Sequence, residues 1–341
     1  MRKFNDAAAE IRYFFQCSFG IFFTWLGLTF VACLIYVFVI FGSLVDKVIV
    51  SSNNVPKSIP YITVPTEYNV TLNFYSKSDV FEDKYNGTVR MNFTARDVTQ
   101  KLFLNRGNHI DITEAVIEDS HGNNTTLEIG AYDSKTCIQA FLPIANLTNK
   151  EFYILAMNFT GKIGEGDEPR TYSYTMSDNS TWHSLVYATS NTENTGLRNL
   201  IPCLDSDEYP AFFNIQMNHS KEVTALGNFK SVSTLIDDEF VQSSFPANMT
   251  LKPAEVAIAL VHLNKEITLR KTLEINMYYR KYIVGQISVE RIFQFMNSKS
   301  ETIGKLDVIC LPGGISVQQP GISFSNEHDV VQENLDLGID G

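Results

Sequence analysis

From Tyr68 the chain alternates. Tyr68, Val70, Leu72 and Phe74 are apolar, and Asn69, Thr71 and Asn73 between them are polar. Period two is the pattern of a half-buried strand. Residues 88–94 (Thr-Val-Arg-Met-Asn-Phe-Thr) repeat it, and residues 101–104, 110–117 and 125–129 follow. Turn residues such as Arg106-Gly107-Asn108 and His121-Gly122-Asn123 separate them. Further strands are predicted over residues 151–160, 211–217, 230–235, 255–263 and 274–280. Short strands at regular spacing with polar turns predict a mainly β domain, a sandwich or a saddle of sheets. The period changes after Val284. Ile287, Ile292, Phe293 and Met296 predict a helix over residues 286–299. Residues 305–312 (Lys-Leu-Asp-Val-Ile-Cys-Leu-Pro) then form an apolar strand ended by proline and two glycines. A helix followed by a continuous apolar strand reads as the start of a mixed α/β unit. No internal repeat is present.

Upstream of the strands lies a run without Asp, Glu, Lys or Arg, residues 13–45. A bilayer core needs about 20 apolar residues in a helix, and this run exceeds that. All ten Asn-x-Ser/Thr sequons lie C-terminal to it: Asn69, Asn86, Asn92, Asn123, Asn124, Asn146, Asn158, Asn179, Asn218 and Asn248. Such a site has meaning only in the secretory lumen. Arg2, Lys3 and Arg12 precede the run and favour a cytosolic N-terminus. A cleaved signal peptide has an apolar region of about 7–15 residues, shorter than this one. The sequence therefore predicts a single-pass cell-membrane protein with its ectodomain outside. Its parts are a cytosolic tail (1–12), a transmembrane signal-anchor (13–45), a polar stalk (46–60), a β domain (61–265), a mixed α/β piece (266–325) and an acidic tail (326–341).

The formal net charge of -11 excludes nucleic acid as a partner. Cys17 and Cys33 lie in or beside the apolar run. Cys137, Cys203 and Cys310 lie outside it, an odd number that allows at most one intrachain disulfide. A domain of this size needs no such staple, so buried free thiols are an equal reading.

Two segments resemble the aminopeptidase N-like family of zinc metallopeptidases. Residues 188–213 are similar to that family's stretch A-T-Q, A-R-R, P-C-F-D-E-P, with Arg198, Pro202, Cys203 and Asp205 matching. Thr224-Ala225-Leu226-Gly227-Asn228 resembles its T-A-L-S-N. Residues 305–324 are similar to K-L-D-x-x-x-x-P followed by G-A-M-E-N-W-G-L-x-x-Y. The resemblance covers roughly residues 60–325. It implies an N-terminal β-saddle followed by a thermolysin-like catalytic domain, of which this chain would carry a truncated start. It also implies zinc and the removal of N-terminal residues from peptides.

The residues that such chemistry needs are altered. A catalytic zinc takes three protein ligands and an open water position. The family supplies two of the ligands from His-Glu-x-x-His on a helix, where i and i+4 share a face. This sequence has no such motif; its histidines are His109, His121, His183, His219, His262 and His328. The nearest imitation, His328-Asp329-Val330-Val331-Gln332, reads as a solvated tail. No cofactor is therefore expected. The family's G-A-M-E-N glutamate pairs with the substrate's α-ammonium. The matching position here is Gln318, with Gln319 in place of the asparagine, and Ser190 stands for the family's amine-contacting glutamine. A neutral amide replaces an ion pair, which weakens the contact by about half. Other motifs are weaker still. Gly161-Lys162-Ile163-Gly164-Glu165-Gly166 lacks the Lys-Ser/Thr ending of a phosphate loop and reads as a plain loop, and Asp237-Asp238-Glu239 reads as a charged turn.

Three functions follow as expectations. The first is a non-catalytic, membrane-anchored module that binds a peptide or pairs with another copy or a full-length family member. The second is a working zinc aminopeptidase, if the chain is a fragment or completes its site in trans. The third is an immunoglobulin-type adhesion domain, which Trp25 in the apolar run and the spacing of Trp182 and Cys203 do not favour.

Overall fold

The computed structural model describes residue 36 and residues 55–74, 84–143, 146–164, 169–176, 178–189, 196–270, 273–280, 298–314 and 316–327. The cytosolic tail, the apolar run apart from Tyr36, most of the stalk, Ser190, most of the 286–299 helix and the tail from His328 lie outside the described residues. Among the described residues no helix is long and apolar enough to cross a membrane. The chain divides into two compact units, Met1–Asn54 and Val55–Gly341, and all the strands described belong to the second.

That unit is mainly β. In chain order its strands begin β1 (Thr63–Asn73), β2 (Lys84–Ala95), β3 (Leu102–Asn105), β4 (Asp111–Glu118), β5 (Asn124–Thr126), β6 (Glu128–Asp133) and β7 (Ile138–Leu142). Then come β8 (Phe152–Lys162), β9 (Arg170–Thr175), β10 (Thr181–Ala188), β11 (Phe212–Ser220), β12 (Thr224–Gly227), β13 (Val232–Leu235) and β14 (Phe240–Phe245). The last are β15 (Ala257–Val261), β16 (Asn264–Arg270), β17 (Leu273–Tyr279), β18 (Lys305–Leu311), β19 (Val317–Gln319) and β20 (Ile322–Asn326), with helix α1 (Ser298–Ile303) before β18.

The strands form four sheets. The largest runs β13-β14-β11-β1-β2-β8-β4-β5; a second runs β12-β15-β10-β9; a third runs β3-β7-β6; the last runs β16-β17-β18-β20-β19. The large sheet is antiparallel except where β1 lies parallel to β11, with Tyr68 opposite Phe213. Parallel neighbours return in the last sheet, where β18 sits between β17 and β20.

Alternation explains the layering. The inward residues of the large sheet include Tyr68, Leu72, Met91, Phe93, Leu155, Phe159, Phe213 and Met217. They pack on Leu102, Leu104 and Phe141 of the three-stranded sheet and on Leu185, Tyr187, Ile258 and Leu260 of the four-stranded one. The other face of the four-stranded sheet, with Val186, Ala257, Ala259 and Val261, packs on Ile309, Leu311, Ile322 and Phe324. β15 is therefore covered on both faces and reads Ala-Ile-Ala-Leu-Val, wholly buried.

Two readings of the sequence are corrected. Residues 125–129 are not one strand: the chain breaks at buried Leu127, sending β5 to β4 and β6 to β7. Gly161 and Lys162 are not loop but the end of β8. The glycine is required there because a Cβ would collide with the Tyr85 ring. The three cysteines outside the apolar run are all free thiols. Cys203 and Cys310 are buried, and burial pushes the Cys310 thiol up to about 12.

His219, buried on the inward face of β11, forms the end of a short polar chain. Its Nδ1 faces the Ser220 carbonyl at 2.8 Å, so Nε2 is left to accept from Ser243 Oγ at 2.9 Å, and Ser243 Oγ lies 3.0 Å from Ser233 Oγ. Burial lowers the His219 pKa, although the Ser220 carbonyl works against this. The folded state thus resists a proton that the unfolded chain accepts below about pH 6.5, so acidification through that value costs stability. Thermal unfolding from about pH 7 to about pH 5 is expected to show a fall in midpoint, and a smaller fall in His219→Gln. Identical slopes for both proteins would remove His219 from the account.

Candidate functional site

The resembling segments, far apart in sequence, meet at one seam. β12 brings Gly227 and Asn228 against the turn that joins β19 to β20. The buried Lys305 ammonium donates to the Gly227 carbonyl at 2.7 Å and to Asp307 Oδ2 at 2.5 Å. Asp307 Oδ1 accepts from Asn276 Nδ2 at 2.8 Å. Asn228 spends its whole amide here: Nδ2 donates to the carbonyls of Glu255 and Pro320, both at 2.8 Å, and Oδ1 accepts the Ala257 N–H at 2.9 Å. Gly321 adopts φ +74, and a Cβ there would collide with the Asn228 carbonyl. Lys299 of α1 closes the seam on the Glu255 carboxylate at 2.6 Å.

Gln318 and Gln319 lie on β19, which borders this seam, and they point to opposite faces. Gln319 is buried. Its Nε2 donates to the carbonyls of Thr189 at 3.1 Å and Ala254 at 3.0 Å, which uses both of its N–H groups. Gln318 is exposed. Ser190 lies outside the described residues, but its neighbour Thr189 is the residue that Gln319 grips. Of the substrate-amine positions, the fold sets only Gln319 against the Thr189 segment, and Gln318 turns away from it. The buried amide serves as a backbone staple.

A second knot holds the segment before β11. Asp205 Oδ2 pairs with Arg198 Nε at 2.5 Å, and Asp205 Oδ1 accepts the Leu197 N–H at 3.1 Å. Four tyrosine and asparagine groups pin the same loop. Tyr85 donates to Leu200 O at 2.7 Å, Tyr187 donates to Gly196 O at 2.5 Å, Tyr68 Oη accepts the Leu204 N–H at 3.1 Å, and Asn105 Oδ1 accepts the Asp205 N–H at 3.1 Å. Gly196 is obligatory because a Cβ would strike Asp205. Cys203, at the centre, is fully buried, and burial followed by the Asp205 charge pushes its thiol well up. It is packing, not a nucleophile.

A catalytic zinc would need three of the chain's donor side chains to converge. His109 faces Asn199 O, His183 faces Ser173 Oγ, His262 faces Glu222 O and stacks on Trp182, and His121 faces Ser120 Oγ. With His219 committed to serines, each of these five imidazoles is engaged alone. Among the described residues no three His, Cys, Asp or Glu converge. These residues do not fit a zinc ion.

The sequon asparagines divide by position. Asn69, Asn86, Asn92, Asn158 and Asn218 all stand on the outer face of the large sheet. There Gln242 donates to Asn218 at 3.0 Å, Asn218 to Asn73 at 2.6 Å, and Asn73 to Asn86 at 2.7 Å, an amide ladder across four strands. Asn92 and Asn214 both donate to Glu67 at 2.7 Å, and Asn158 donates to Glu114 at 2.8 Å. Asn123, Asn124, Asn146, Asn179 and Asn248 lie at exposed turns and short segments. The ladder carried no sequence signal beyond polar outward positions, since its partners are up to 145 residues apart.

The layered sheets and the Arg198–Asp205 knot belong to a mainly β unit. The family model of the peptidase M1 N-terminal domain matches residues 64–251, and the chain belongs to that family. A curated relative from Caenorhabditis elegans, "Putative aminopeptidase-2", is 25% identical over 125 residues. That match takes in 35% of this chain and 6% of the relative's length, so this chain spans only a small part of it.

Proposed function

We propose that this chain is a single-pass, N-glycosylated membrane protein whose aminopeptidase-like ectodomain binds a peptide or a protein partner without hydrolysing it. The observation that carries the reading is the pair of neutral amides at the substrate-amine positions: Gln318 stands where the family has its glutamate, and the neighbouring Gln319 is already engaged by the Thr189 and Ala254 carbonyls. The apolar run at residues 13–45 and the ten downstream sequons support the anchor and the outward-facing ectodomain. Family membership supports the second reading, a zinc aminopeptidase that is assembled in trans or from a longer product.

The two readings part in one experiment. The purified full-length chain, assayed for bound zinc and for release of chromophore from an amino-acid anilide, is expected to show neither. Stoichiometric zinc with turnover would replace the first reading by the second.

A further inference from the structure

We propose that two copies of this chain pair edge to edge through β13, antiparallel, with Thr234 of each copy on the shared two-fold axis. β13 ends the large sheet and pairs with β14 on one side only. Every residue from 230 to 239 is exposed, and Val232, Leu235 and Ile236 are 64%, 73% and 52% exposed. An edge strand presents unpaired N–H and C=O groups, which proteins ordinarily blunt with proline, a bulge or inward charge. Residues 230–239 contain no proline. The opposite edge, β5, is three residues long and bears sequon Asn124.

Geometry fixes which groups are offered. The Ile236 N–H donates to Phe240 O, so Ile236 faces β14. Strand groups alternate, so Ser233 and Leu235 turn their N–H and C=O outward. A two-fold axis normal to the sheet keeps each face on its own side, so residues of like parity must stand opposite one another. Centred on Thr234, Ser233 meets Leu235 of the partner subunit in a hydrogen-bonded pair. Val232 meets Ile236 of the partner subunit, and beyond the strand's ends Lys230 comes beside the turn that carries Asp238 of the partner subunit. Val232, Thr234 and Ile236 thus form an apolar and hydroxyl row that complements itself, with Lys230 just before the strand and Asp238 in the turn after it supplying opposite charges at the two ends. A slip of one register step sets Lys230 against Ile236, or Val232 against Asp238, of the partner subunit.

The charges are only loosely engaged within one copy. Lys230 stands 3.7 Å from Glu274 and is 59% exposed, a loose contact. The Asp237 carboxylate is used within the turn, accepting the N–H groups of Glu239 and Phe240 at 2.8 Å, whereas Lys221 reaches the Asp238 carbonyl and not its carboxylate. Ser233, bonded to Ser243, holds β13 flat against its neighbour. Pairing runs in the plane of the sheet, at right angles to the face that bears the five sequon asparagines. The interface is isologous, so every contact off the axis occurs twice.

The pairing deepens the partner-binding reading by naming a second copy as the partner. Its test is separate, because the anilide assay reads hydrolysis alone. The full chain in mild detergent, carrying Thr234→Cys, is oxidised gently and run without reductant beside the unaltered protein. In the proposed register the two Cα atoms lie about 4.5 Å apart, within disulfide reach. A band of doubled mass is expected for Thr234→Cys and not for Ser233→Cys or Leu235→Cys, which face other residues. In light scattering, Asp238→Lys and Lys230→Asp are each expected to weaken the dimer about tenfold, and the double exchange to restore it. A monomer at all concentrations, a missing band at 234, bridging at 233 or 235 instead, or an unrestored double exchange would overturn the proposal.

Discussion

Replacing Lys305 with methionine is expected to cost about 3–5 kcal/mol, the penalty for removing one member of a buried ion pair. Asp307 is 2% exposed and would keep only the Asn276 amide as a partner, and the Gly227 carbonyl would lose its donor. Urea unfolding of residues 55–341 measures the loss. Lys305→Met with Asp307→Leu is expected to recover part of it, because an apolar pair removes the stranded charge, though Asn276 then lacks an acceptor. The damage should also be local. Proteolysis of Lys305→Met is expected to begin in the five-stranded sheet, which the seam ties to β12 and β15. A loss below about 1 kcal/mol would mean that water reaches the pair and that it counts as a surface bridge.

Asp205→Ala is expected to cost about 3 kcal/mol, the low end of the same range, because Arg198 keeps 29% of its side-chain surface exposed and can be hydrated. The carboxylate does two jobs: it pairs the guanidinium and caps the N–H groups of Leu197 and Arg198. Asp205→Asn keeps one acceptor without the charge, so it should fall between the parent and the alanine variant in thermal melting. Equal melting of all three would show that the surrounding tyrosine and asparagine bonds hold the loop unaided.

The half-buried strands were legible because one wet face leaves a period of two, as in β1, β2 and β8. β10 was not, because its Ser184-Leu185-Val186-Tyr187 run packs on both sides and loses the alternation. β14 was hidden for a different reason: Phe240, Val241 and Gln242 are all partly exposed, and the pattern there is weak. At the seam, the positions of Gln318 and Gln319 could be read from their neighbours. What they touch could not, because Thr189 and Ala254 approach from loops 130 and 65 residues away. Lys305 looked like the polar start of an apolar strand, and only the fold reveals Gly227 as its acceptor.

The parallel contact between β1 and β11 has a temporal consequence. β1 is an inner strand, yet the neighbour that covers one of its sides is synthesised about 145 residues later. At ribosomal speeds of about 5–20 residues per second, that side stays open for roughly 7–30 s. Throughout this interval Asn69 lacks the Asn214 amide and Asn73 lacks the Asn218 amide that donate to them in the finished sheet, so the outer face of β1 is completed only when β11 arrives.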